Sequence, residues 1–103
     1  MNLNKLMKQA QKMQEQMAKT QAELGDKTVE VQAAGGKVTV VANGAGEVTS
    51  IKIAREIVDP EDVEFLEEAV LSGVKHAIAQ GKELAESEMT KITGGMGLGG
   101  LGL

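Results

Sequence analysis

Leu3, Ala10, Met17 and Leu24 recur every seven residues, and Leu6, Met13 and Thr20 repeat that interval three positions on. An a/d pattern held over three heptads predicts an amphipathic helix over residues 3–24. At about 1.5 Å per residue this is a rod of roughly 33 Å, with Gly25 as its C′ stop. A strand of seven or eight residues spans only about 25 Å. One small sheet therefore cannot cover the apolar stripe of this rod from end to end.

Three strand-like runs follow. "TVEVQAA" puts Val29, Val31 and Ala33 on one face, and "KVTVVAN" does the same for Val38, Val40 and Ala42. In "GEVTSIKI", Ile51 and Ile53 share a face and Val48 is out of phase, which a bulge near Thr49–Ser50 repairs. The separators, Gly35–Gly36 and "NGAG" at 43–46, are turn chemistry that tolerates positive φ. The simplest assembly is a three-stranded antiparallel meander.

"DPEDVEFL" opens a second helix, with Asp59 as N-cap, Pro60 at N1 and Glu61 and Asp62 on the positive end of the dipole. The pattern runs to about residue 92, roughly 50 Å. Leu66, Val70, Val74 and Ile78 form one row; Ala69, Gly73, Ala77, Gly81 and Ala85 form the next. Each glycine costs about 1 kcal/mol relative to alanine in an isolated helix, so the small row predicts close approach of another backbone. The fold expected is α+β, in the order α-β-β-β-α, with two long helices flanking the sheet. Residues 1–93 form the domain, and 94–103, with six glycines, form a flexible tail.

A chain of 103 residues with one Phe and no Tyr or Trp builds its core from Val, Ile, Leu, Met and Ala. Such a domain is marginal alone, and its helical stripes outrun its sheet. An elongated homodimer is the expected solution.

Composition also narrows function. There is no cysteine and one histidine, His76, so disulfides and the usual Cys/His metal sites are ruled out. The serines, Ser50, Ser72 and Ser87, fall in no spacing that suggests a nucleophile and base. Gly36–Lys37 is no phosphate loop: Val31 stands where the first glycine belongs, and Val38 follows the lysine. Base-stacking modules for single strands need aromatic rings, and only Phe65 is present, which the helical pattern places near the apolar face. Neither a secretory signal nor a membrane-spanning run is legible. The expectation is a non-enzymatic cytoplasmic protein without cofactor, metal, small-molecule substrate or membrane contact.

Charge is distributed unevenly. The total is -4, yet residues 1–24 carry four lysines against Glu15 and Glu23, a balance of +2. Residues 59–103 carry nine acids against Lys75, Lys82 and Lys91, a balance of -6. On a helical wheel Lys5, Lys8, Lys12 and Lys19 fall within an arc of about 60°, roughly opposite the apolar stripe. Glu15 is placed to pair with Lys12 or Lys19, and Glu23 with Lys19. Gln9, Gln11, Gln14 and Gln16 offer amides to phosphates or base edges. Such a face suits a polyanion, although many solvated helices look similar.

Four segments in order, "LMKQAQKMQEQM", "GGKVTVVANGAGEV", "DPEDVEFLEEAV" and "MTKITGGM", resemble the YbaB/EbfC family of bacterial nucleoid-associated proteins over nearly the whole chain. The resemblance implies an α-β-β-β-α homodimer shaped like tweezers. It also implies binding to double-stranded DNA with altered DNA conformation, and roles in nucleoid organisation or gene regulation. The expected phosphate-binding residues are Lys8 and Lys12, within the matched segment, and neighbouring Lys5, with Lys19 and Lys75 behind them. Where family members often carry Asn-Asp-Ala in the second helix this chain reads "VKHA", which draws Lys75 and His76 into consideration. The competing reading is a helical protein-interaction adaptor that uses the methionine stripe, the acidic helix and the Gly/Leu tail.

Overall fold

The computed structural model describes residues 2–93, so the expected Gly-rich tail lies outside the described residues. Helix α1 (Leu3–Leu24) leads into strands β1 (Thr28–Ala33), β2 (Val38–Asn43) and β3 (Val48–Ile53), and helix α2 (Val63–Thr93) closes the chain. This is the expected α-β-β-β-α order. The molecule is elongated, 71 × 25 × 16 Å. Asn2 caps α1, its side-chain oxygen accepting the Lys5 N–H at 3.2 Å.

The strands form an antiparallel sheet in the order β1-β2-β3. Val31 faces Val40, which in turn faces Ile51. The register slips between Val41 and Ala42, which face Ser50 and Val48, so Thr49 is the extra residue. The expected bulge is thus present, and it returns Val48 to the same sheet face as Ile51 and Ile53.

Helix α2 lies across β1 and β2 and only grazes β3. Its small row turns inward: Ala69, Gly73, Ala77 and Gly81 are buried against a floor of Val38, Val40 and Ala42. A Cβ on Gly73 would stand 2.8 Å from Val40 Cγ2, and one on Gly81 would strike the backbone oxygen of Asn43. The small row exists because the helix backbone rides directly on the strand. Leu66, Val70 and Val74 are left half-covered at the side, with Ile53 exposed beside them.

Asn43 joins three elements. It is buried, and its amide nitrogen donates to Gly25 O at 3.2 Å and to Glu47 Oε1 at 3.0 Å. Its side-chain oxygen accepts the N–H groups of Ala45 and Glu47, each at 3.0 Å. Gly44 N–H donates to Leu24 O at 2.9 Å, so the β2–β3 turn is hooked onto the end of α1. Asn43→Ala removes all four bonds, but water replaces them at the exposed Gly25, Ala45 and Glu47, so the fold should lose about 1–1.5 kcal/mol. Urea unfolding checks this, with the midpoint falling at unchanged slope.

Four local expectations need correction. Asp59 is not the N-cap of α2: its carboxylate accepts the Glu61 N–H at 2.9 Å and closes a turn around Pro60. Asp62 takes the role, accepting the Phe65 N–H at 3.3 Å, so the helix starts at Val63. Gly25 ends α1 with right-handed φ/ψ of -62° and -25°, because the last helix carbonyls are taken in another way: Glu23 O accepts the Asp26 N–H, and Leu24 O accepts those of Lys27 and Gly44. Phe65, expected near the apolar face, is 45% exposed, since the row facing the sheet is the small one. Positive φ in the β1–β2 turn extends to Ala34, at 53°, as well as both glycines.

Candidate nucleic-acid interface

α1 and α2 run antiparallel where they meet. Leu24 lies beside Ala85 and Met89, and Thr20 and Gln16 lie beside Ile92. The first dozen residues of α1 therefore continue past the last described turn of α2 as a projecting arm. Residues 3–12 are exposed without exception. The heptad seam is covered only in its lower half: Leu24 is buried and Met17 half-buried, but Leu6 is 46% and Leu3 69% exposed.

The arm carries Lys5, Lys8 and Lys12 on the side away from the seam, and all three are exposed. Lys19 continues the line to the root of the arm, where it borders the groove between the helices. The expected pairs of Glu15 with Lys12 or Lys19, and of Glu23 with Lys19, do not form. Among the described residues no carboxylate lies within ion-pair distance of Lys5, Lys8, Lys12, Lys19 or Lys75. Long exposed side chains gain little from such pairing, and solvation wins.

Lys75 sits elsewhere. It is two residues past Gly73, over the sheet, and about 25 Å along α2 from Ile92 at 1.5 Å per residue. With His76, Glu68, Leu71 and Ser72 it lines a shallow surface hollow. The structure thus gathers four of the five nominated lysines on one helix face and separates the fifth. It also brings forward Lys91, which faces the same inter-helical groove as Lys19. Sequence reading missed Lys91 because helical periodicity relates residues within one helix and not across two.

The root of the arm is tied by Glu88. Its carboxylate lies 3.2 Å from Lys27 Nζ and 3.5 Å from Lys91 Nζ. The hydrogen bond from Lys27 holds the Glu88 carboxyl below its ordinary range, with Lys91 assisting and partial desolvation opposing. A carboxylate whose folded pKa is depressed stabilises the fold above its unfolded value, roughly 4.3, and loses that effect as pH falls through the folded value. Glu88→Gln should therefore lower the melting temperature at pH 7, and the gap to the parent should close between pH 5 and the acid limit. Thermal scans at stepped pH test this.

The opposite end of the molecule is acidic. Glu56, Asp59, Glu61, Asp62 and Glu64 are all exposed around the start of α2. The charge asymmetry legible in the sequence is therefore a separation along the long axis.

The pattern of the YbaB/EbfC DNA-binding family matches residues 1–96. The chain belongs to the YbaB/EbfC family. Its relatives support the same placement. It is 53% identical over 96 residues to a nucleoid-associated protein of Ruminiclostridium cellulolyticum, covering 93% of this chain and 84% of that protein. It is 50% identical to a nucleoid-associated protein of Alkaliphilus metalliredigens, covering 97% of this chain and 88% of the other. The crystal structure of the uncharacterized protein HP0035 from Helicobacter pylori superposes with a TM-score of 0.63 at 20% identity, over 76% of this chain and 90% of that one. That likeness supports the fold. The family is named for DNA binding and not for a catalysed reaction, and no helix among the described residues is long and apolar enough to cross a membrane.

Proposed function

We propose that this YbaB/EbfC protein binds double-stranded DNA as a homodimer, chiefly through phosphate contacts, and organises DNA in the nucleoid. The observation that carries the reading is the arm: exposed Lys5, Lys8 and Lys12 in line, without carboxylate partners among the described residues, on a helix that leaves the body of the protein. Lys19 extends the line, and Lys75 serves as a second contact over the sheet. Lysine pairs with phosphate as a point charge and reads no base edge, so little sequence preference follows. The acidic end of the molecule repels the duplex and turns the arm towards it. A DNA segment held by two arms is constrained in its path, which is how conformation, and through it transcription, would be affected.

The dimer reading rests on uncovered apolar surface. Ile53 on β3 and Leu66, Val70, Leu71 and Val74 on α2 line an open groove, left because α2 covers only two of the three strands. A two-fold axis through that groove buries it in one step.

Gel shifts with unrelated duplexes over a salt series test the binding. A shift at low salt that fades with a log-log slope of about 0.9 per phosphate contacted is expected. No shift at any salt would favour the adaptor reading instead. Sedimentation of the free protein tests the dimer, with a species of twice the 10.8 kDa chain mass expected.

A further inference from the structure

The outer half of the α1 seam has no cover among the described residues. Leu3 and Leu6 are exposed a and d positions, followed by Ala10 and a half-buried Met13. The positions flanking a seam decide what can lie on it, because e and g residues meet the partner helix. Here the e positions are Met7 and Gln14 and the g positions are Gln9 and Gln16, so none carries charge. Lys5 and Lys12 fall at c and Lys8 at f, on the outer side. A helix of this kind meets its own copy without like-charge repulsion and keeps its ammonium groups outward.

We infer that the projecting arm of α1 pairs antiparallel with the arm of a second copy. In that register Leu3 of one copy packs on Met13 of the other and Leu6 packs on Ala10, with the two-fold axis passing near Lys8. Met7 and Gln9 flank the axis, each close to its own counterpart. The alternative occupant, the chain's own residues 94–103, is a poor fit: six glycines in ten residues make it the costliest kind of segment to order. The arm is already helical. Its overlap is shorter than a standard interface, so the contact is reversible and adds to whatever joins the bodies. Copies aligned on one duplex would pair arms along it, and their uptake would be cooperative.

The chain lacks cysteine, which makes a clean test available. Met7→Cys and Glu15→Cys full-length variants are incubated without DNA in oxidised glutathione, which takes up the two electrons and supplies the thiol exchange. Met7→Cys should form a covalent pair about tenfold faster than the outward-facing Glu15→Cys, through proximity alone. Leu6→Glu added to Met7→Cys should bring the rate down to that control while leaving the circular dichroism unchanged. Gln9→Cys serves as a second reporter. Equal rates for inner and outer cysteines overturn the pairing. So does a Met7→Cys thiol shielded from a small alkylating reagent with no covalent pair formed, which would mean that another segment covers the seam. Because no DNA is present, failure here is distinct from failure of the DNA-binding reading.

Discussion

Lys5→Glu combined with Lys8→Glu should lower duplex affinity by on the order of 100-fold or more at 0.1 M salt. The effect is electrostatic. Both residues are exposed on the arm, and no carboxylate lies beside either one among the described residues. Each is therefore available to displace a condensed counterion from the duplex. In a dimer the double substitution removes four such cations and introduces four charges that repel phosphate. The log-log salt slope should flatten by about 3.6, four contacts at 0.9 each. Fold and assembly should be unaffected, because both side chains are exposed. Gel shifts or fluorescence anisotropy across a salt series, with sedimentation as the control, decide the matter. Unchanged affinity would move the binding surface off the arm. The same change at Lys75 alone should weaken binding far less, because Lys75 stands over the sheet, well away from the arm's line of charge.

The largest stability effect should come from one methyl group. Gly81→Ala places a Cβ against the backbone oxygen of Asn43, which cannot rotate away as a side-chain tip would. Alanine improves helix propensity by about 1 kcal/mol, so in an exposed helix this change would stabilise. Here the overpacking should win, with a net loss of about 2 kcal/mol. That corresponds to a melting temperature lower by roughly 8–16 °C for a domain of this size, at fixed protein concentration. Asn43 would be displaced as well, and with it the turn that grips the end of α1. Gly73→Ala should be milder, because its nearest neighbour is the tip of Val40 rather than backbone. Scanning calorimetry of the two variants separates these cases. A Gly81→Ala protein more stable than its parent would mean that the helix stands off the sheet.

Much of this was legible in the linear sequence, for reasons that differ by element. The heptads of α1 and the small row of α2 are local periodicities, and side chains three, four and seven apart share a helix face whatever surrounds them. The bulge at Thr49 was legible because Val48 was out of step with Ile51 and Ile53, and only one inserted residue restores the alternation. The lysine line on α1 followed from the same wheel. The N-cap of α2 was misplaced because Asp59 and Asp62 both have capping chemistry, and their competition is settled by which carboxylate is already used in the Pro60 turn.

The linear order of residues, taken alone, determined the helices, the meander, the charge polarity and the lysine face, because each is written in spacings of a few residues. Tertiary structure decided which stripe met the sheet and which stayed open. It chose Glu88, and not Glu15 or Glu23, as the acid that ties the root of the arm, and it set Lys75 apart from the arm. Those outcomes depend on how an antiparallel helix pair overhangs a three-stranded sheet. That overhang is fixed by the contact of Gly73 with Val40 and of Gly81 with Asn43, residues more than thirty positions apart, and no local repeat encodes it.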